Sequence, residues 1–368
     1  MQNMFYYQIL PEKKLPIEYL IYCSKTPLKR GQVVKVLIKN SSSLGLVLTE
    51  ASTVQVNQLE EIKEVSQILP LILSEKQINF LFALAYNTFN QPSEVLNGML
   101  SPFKKLSNKF WQILKTHNSY KESNISSDVG STSITKQVLK PEILLVENED
   151  QMLFRIRYII RSYISMNDKQ ASNYPLVFLF PEQKFLLNIK RKLDDFFKQL
   201  SLQVDVFDSI QSSQSQQTII NILTQTSQII FGTRQVLFLP WQTSKLDLVL
   251  IDESNSFYIQ DEKGLYYDTR DASFIFSQIF GAGLTFLTIL PSVRLFNFSL
   301  KPSLETILSN TSKTSQKPLK IELLNRNFSR DNFFDLIDFL ETSIIKNDSA
   351  NLSNDQNNDI NSNINFKN

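Results

Sequence analysis

A chain of 368 residues is long enough for two domains with separate cores. With 42% hydrophobic and 20% charged residues it has a globular composition, and no apolar run approaches the length, about 20 residues, that a membrane helix needs. The formal net charge of +2 excludes coating nucleic acid by bulk charge, and a single cysteine, Cys23, excludes an internal disulfide and a cysteine-based zinc site. Residues 1–10 lack the basic start, apolar centre and small-residue cleavage site of an export signal, so a soluble, cytoplasmic protein with no membrane partner is expected.

Between residues 5 and 48 the runs MFYYQIL, EYLIYC, QVVKVLIK and LGLVLTE alternate with Pro11, Pro16, Pro27, Gly31 and an NSSS turn. That pattern predicts a small antiparallel sheet or barrel. Ser74 is positioned to cap a helix through EKQINFLFALAYNTF, with Ile78, Leu81, Phe82 and Ala85 on one face. The small domain is expected to span residues 1–103, followed by a polar, serine-rich linker over 104–135.

The texture then changes. PEILLVE, PLVFLFP, VDVF, SQIIFGT, LDLVLIDES and GLTFLTIL are strand-like runs, with helices predicted at 150–165, 182–200 and 218–224. Such alternation predicts a parallel sheet with helices on both faces over residues 136–300. A further strand-and-helix unit is expected at 301–346 and a disordered Asn/Ser/Asp-rich tail at 347–368. The fold class is therefore α/β, a small β-barrel-like domain joined to a parallel-sheet lobe.

Two stretches carry a family resemblance. In the first, Glu18, Tyr19, Leu20, Gly31, Val34, Gly45 and Val47 fall on an aromatic-Asp-Tyr-Leu, Gly-x-x-Val, Gly-[Ile/Leu]-Val pattern. In the second, IIFGTRQVLFLPWQTSKLDLVLIDES and YYDTRDASFIFSQ place Gly232, Thr233, Arg234, Asp252, Glu253, Tyr267, Arg270 and Asp271 in order. The chain over most of residues 1–345 resembles the primosomal protein N-prime (PriA) family, superfamily 2 helicases of replication restart. The resemblance implies a 3′-end DNA-binding domain followed by a RecA-like first helicase lobe, with DNA and primosome or replisome proteins as partners. Pro291 and Ser292 stand where that family has a Ser-Ala-Thr-Pro-Ser segment.

The departures are informative. An ATP-binding loop needs glycines so that backbone N–H groups can wrap phosphates, and a lysine to reach them. The matching segment offers Glu147, Asn148, Glu149 and Asp150; no glycine lies between Gly130 and Gly232, and no Gly-Lys dipeptide occurs. Asp252 and Glu253 match the family's Mg²⁺-binding pair, but Ser254 and Asn255 replace the Glu-His that follows. We read the pair as vestigial, two solvated carboxylates at a strand end. No cofactor is expected, with ATP and Mg²⁺ relevant only if the nucleotide site functions in an unusual way.

For DNA, the resemblance implies that Glu18 stands where an Asp bonds a 3′-hydroxyl, that Ile17 replaces a stacking aromatic and that Lys39 replaces a pocket glycine, with Tyr19 and Gly31 alongside. Basic clusters at 13–14, 25–30, 35–39 and 104–109, interleaved with Tyr6, Tyr7, Tyr19 and Tyr22, fit either a single-strand path or an ordinary solvated surface over core tyrosines. Arg155, Arg157, Arg161 and residues 190–192 read as plain helix surface. His117, the single histidine, has no companion for catalysis, and Trp111 and Trp241 read as packing residues. The leading function is DNA binding at forked or 3′-ended DNA without ATP hydrolysis. A 3′–5′ helicase with an atypical nucleotide site and a non-catalytic replisome scaffold are the alternatives.

Overall fold

The computed structural model describes residues 4–52, 62–104, 110–112, 141–170, 174–207, 213–224, 226–241, 243, 246–260, 265–292 and 295. The expected linker lies mostly outside these residues, as do His117, the 301–346 unit and the 347–368 tail.

The N-terminal strands are β1 (Phe5–Pro11), β2 (Leu20–Ser24), β3 (Gln32–Ile38), β4 (Ser41–Glu50), β5 (Lys63–Glu64) and β6 (Gln67–Ile72), in the sheet order β5-β2-β1-β4-β3-β6. The four expected strands are present. The two edge strands are additional to them, and β5 pairs with β2 in parallel. Only Val65 and Ser66 separate these edges. Val65 N–H donates to the Cys23 carbonyl at 2.9 Å and Ser66 N–H to that of Lys35 at 2.9 Å, so the sheet curls until its edges meet. Pro70 sits in edge strand β6, where the pairing with β3 shifts register and no ladder donor is needed.

Both faces of this sheet are covered, which is why QVVKVLI is nearly continuous in apolar residues. Tyr7, Ile9, Val34, Val36 and Val47 fill the inner face, while Leu10, Val33, Leu46, Leu69 and Leu71 face two helices. These are α1 (Glu75–Thr88) and α2 (Pro92–Leu100). Ser74 caps α1 as expected, in a capping box with Gln77.

The second sheet contains β7 (Glu142–Leu145), β8 (Leu176–Leu179), β9 (Val204–Phe207), β10 (Ile229–Gly232), β11 (Asp247–Ile251) and β14 (Gly283–Thr288), all parallel, in the order β7-β14-β11-β8-β10-β9. Every apolar run expected as a strand of this lobe is one. Helices α3 (Glu149–Gln170) and α4 (Gln183–Gln199) cover one face, and α5 (Ser213–Thr224) and α6 (Thr269–Phe280) the other. The strands alternate accordingly: Phe178 and Val249 pack under α3 and α4, Val177 and Leu248 under α5 and α6. A small hairpin, β12 (Ile259–Gln260) with β13 (Tyr267–Asp268), precedes α6.

The two sheets share a core. One cluster runs from Leu46 through Leu81 and Leu84 of α1 to Phe238, Trp241 and Phe276 of the lobe, and the described residues all belong to one compact unit. Phe80 meets Phe276 edge-on at 5.3 Å, the Gln77 side-chain amide donates to the Leu239 carbonyl at 2.7 Å, and Lys76 donates to the Phe280 carbonyl at 2.9 Å. Helix α1 therefore carries side chains of the small domain into the lobe. Trp241 is buried, its indole N–H donating to the Val236 carbonyl, and Trp111 packs on Phe103 and Phe110. Among the described residues, no helix is long and apolar enough to cross a membrane.

Candidate nucleotide and nucleic-acid sites

The segment matching a phosphate-binding loop joins β7 to α3 through residues 146–148 alone. That is too short to encircle phosphates. Two of its three backbone donors are engaged, Val146 N–H with the Thr288 carbonyl and Glu147 N–H with Gln151 Oε1, and the Gln151 N–H of the helix donates to Asn148 Oδ1, each at 3.0 Å. The side-chain amide of Gln151 reaches back to Glu147 Oε2 at 2.8 Å. Asn148 and Gln151 thus close the N-terminus of α3 in the manner of a reciprocal cap. Glu147 and Asp150 are exposed, and Glu149 is ion-paired to Lys192 at 2.7 Å. A triphosphate tail would meet carboxylates where it needs amide N–H groups and an ammonium.

Asp252 follows β11 with a left-handed φ of 56°. Its backbone N–H donates to the Leu287 carbonyl at 2.7 Å, and its Oδ2 accepts from the Asn255 amide at 2.9 Å. Glu253 turns inward. The expectation of two solvated carboxylates is corrected here, because Glu253 is only 1% exposed. Its Oε2 accepts from the Ser292 backbone N–H at 2.9 Å and its Oε1 from the Ser292 hydroxyl at 2.5 Å. The Arg270 guanidinium stands 3.8 Å from Oε1. A buried carboxylate is tolerable only with such partners.

Arg270 is itself held by Asp268, Nε to Oδ1 at 2.8 Å and Nη2 to Oδ2 at 2.6 Å, and donates to the Glu253 carbonyl at 3.2 Å. The Asp268 hydrogen bonds push its pKa above the ordinary arginine value against the opposing effect of burial. Tyr258 lies beneath, fully buried, its hydroxyl shared between the carbonyls of Leu179 and Ile251. Burial, with Asp252 adding to it, pushes that hydroxyl well above the usual tyrosine range.

The other motif residues gather on the same rim, at the C-terminal ends of the strands. Gly232 ends β10, where a Cβ would stand 2.1 Å from Val236 Cγ2, so only glycine fits the close turn. Thr233 leads into a 3₁₀ turn over Arg234–Phe238, and Arg234 points its guanidinium at the Phe257 carbonyl, 3.5 Å away. Asp271 lies in the first turn of α6. Sequence reasoning misses three members of the network as functional residues. It gives Ser292 only as a motif remnant and Asn255 only as a loss, yet one holds Glu253 and the other Asp252. It does not single out Asp268, although Asp before Thr-Arg is a helix-cap signal and its side chain does cap α6.

On the small domain, Ile17, Glu18 and Tyr19 lie in the loop between β1 and β2, and Lys39 in the hairpin turn between β3 and β4. The antiparallel pairing brings both connections to one end of the curled sheet, where Lys13 donates to Ser41 Oγ at 3.0 Å. Ile17, Glu18 and Lys39 are exposed and Tyr19 borders on it. Lys39 keeps a left-handed φ of 54°, the conformation that favours glycine. Gly31 lies at the opposite end, with φ 82°, where a Cβ would stand 2.1 Å from the Leu73 carbonyl oxygen; its place is in the backbone of the sheet.

Much of the basic charge here is compensated. Lys14 pairs with Glu94 at 2.7 Å, Lys25 with Glu64 at 3.1 Å, Arg30 with Glu75 at 2.8 Å and Lys104 with Glu12 at 2.9 Å. Tyr7 and Tyr22 are core residues, the first accepting from Leu28 N–H and the second donating to the Leu37 carbonyl. Of the four interleaved tyrosines, Tyr6 and Tyr19 retain exposed surface.

No family model matches the chain. Two curated proteins do, both named replication restart protein PriA, from Helicobacter pylori strains J99 and 26695. They are 25% identical to it over 292 and 296 residues, which is 79% of this chain and 44% of each relative. The chain thus has a distant PriA-like relationship and spans less than half the length of the relatives it matches.

Proposed function

We propose that this protein acts in replication restart as a DNA-binding component, taking forked or 3′-ended DNA on its small domain without hydrolysing ATP. The observation that carries the second half is the closed connection at residues 146–148, whose Asn148 side chain caps α3 and whose Glu147, with Glu149 and Asp150 beside it, puts carboxylates where a phosphate would lie. The buried Glu253 supports the same reading, because a carboxylate only 1% exposed, bonded at both oxygens to Ser292 and facing Arg270, is turned away from where a metal-bound water would stand. The residues present do not fit ATP with Mg²⁺.

For the first half, the support is the distant PriA relationship together with the shared placement of Ile17, Glu18, Tyr19 and Lys39 at one end of the sheet. Glu18 would accept a hydrogen bond from the 3′-hydroxyl and Lys39 would meet the terminal phosphate. Primosome or replisome proteins are the proposed partners.

Fluorescence anisotropy with matched forks ending in a 3′-hydroxyl or a 3′-phosphate tests the DNA reading. Tighter binding of the hydroxyl form, abolished in Glu18→Ala, is expected; equal affinities remove 3′-end recognition. Phosphate release from ATP with fork DNA tests the rest. Turnover that disappears in Asp252→Ala would establish the helicase reading instead.

A further inference from the structure

We propose that the outward face of α3 is a separate contact for single-stranded nucleic acid, built from two exposed rings and flanking arginines. The inner face of this helix is ordinary: Met152, Leu153, Ile156 and Ile160 are buried against the parallel sheet. A helix covering a sheet ordinarily presents polar side chains on its other side. Here Phe154 and Tyr158, four residues apart and therefore on one stripe, are 61% and 58% exposed. Their attachment points are separated by about 6 Å along the axis, which leaves room for a base against each ring.

The charge along the middle of the same helix is one-sided. From Gln151 to Met166 it carries Arg155, Arg157 and Arg161 and no carboxylate. None of the three is ion-paired among the described residues, and Arg161 is steered by lying 5.3 Å over the Phe196 ring. The neighbouring helix differs. In α4, three of the five cations, Lys190, Lys192 and Lys198, are neutralised by Asp194, Glu149 and Asp195. Uncompensated guanidinium groups favour an anionic partner, and exposed rings favour one with flat faces; a single strand supplies phosphates and bases together. Glu147 and Asp150, exposed at the start of the helix, set the anionic limit of the surface.

The surface is independent of the small-domain reading, so the test uses an oligothymidylate with a 3′-phosphate, which offers no 3′-hydroxyl. Anisotropy with the full chain is expected to show binding that weakens at least about tenfold in Phe154→Ser/Tyr158→Ser. In Arg155→Gln/Arg157→Gln the slope of log affinity against log salt is expected to fall by about 0.7 for each phosphate that is no longer neutralised. Circular dichroism melting should leave both variants folded, because the replaced side chains lie outside the core. Affinity unchanged in the folded variants, or no binding by the wild type at low salt, overturns the proposal. Displacement by polyglutamate as effective as by unlabelled oligothymidylate also overturns it, in favour of an acidic protein partner. Absence of a 3′-hydroxyl preference alone, with these effects intact, would sink only the small-domain reading.

Discussion

Ser292 grips Glu253 at both carboxylate oxygens, through its backbone N–H at 2.9 Å and its hydroxyl at 2.5 Å. The bond ties the loop after β14 to the end of β11 and keeps a charge buried. Ser292→Ala removes the shorter bond and leaves one oxygen facing Arg270 alone. A destabilisation of about 1–3 kcal/mol is expected in urea unfolding. A variant as stable as the wild type would mean that Glu253 finds another donor.

Gly31 combines a left-handed backbone with a close approach to the Leu73 carbonyl. Gly31→Ala should therefore cost more than the 1 kcal/mol or so of a left-handed alanine alone, because a backbone oxygen stands where its Cβ must go. Thermal melting is expected to fall by several degrees or more. Little change would show that β6 can shift away without cost.

Lys39 has the same backbone hand without the crowding of a core position. Lys39→Gly should stabilise the fold by about 0.5–1 kcal/mol, read from the urea midpoint. If the same variant also binds forks less tightly, the lysine is retained for phosphate at the expense of the turn. Unaltered fork affinity would leave it without a part in DNA binding.

Gln77 works at both ends of its side chain, accepting from Ser74 N–H at 3.1 Å and donating to the Leu239 carbonyl at 2.7 Å. Gln77→Ala opens the capping box and removes one of two donors to the Leu239 carbonyl, which keeps the Trp241 N–H at 2.8 Å. A cost of about 1–2 kcal/mol is expected, with hydrogen exchange rising first at the start of α1. Protection unchanged there would place the effect elsewhere.

Glu94 titrates under opposing influences. Partial burial raises its pKa, but the Lys14 hydrogen bond, the Gln91 N–H and the Lys14 charge together hold it below the usual carboxylate value. A depressed carboxyl contributes stability above its unfolded pKa of about 4.3 and loses it as pH falls through the lower folded value. The deficit of Lys14→Met, under about 1 kcal/mol near pH 7, should therefore shrink below about pH 4. A deficit that stays constant down to about pH 2 would assign it to weaker packing.

The parallel lobe is legible in the order of amino acids alone, because strands buried on both faces must be apolar throughout: PLVFLFP, SQIIFGT and LDLVLIDES declare themselves. So is the character of the β7–α3 connection, since no folding can supply glycines and a lysine that are absent. The Ser74 cap is equally plain, being a matter of residues three apart. Everything else waits on packing in three dimensions. Edge strands β5 and β6 become strands only because β2 and β3 offer them partners. Glu253 is buried because Asp252 adopts a left-handed turn and Ser292, 39 residues later, arrives to receive it. Lys14, Lys25, Arg30 and Lys104 look free in sequence and are paired in space with carboxylates 39 to 92 positions away, a distance no local pattern can report. Arg155, Arg157 and Arg161 look like plain helix surface, and only their surroundings reveal that, among the described residues, no carboxylate answers them. Burial and pairing are properties of neighbours, and neighbours are chosen by the fold.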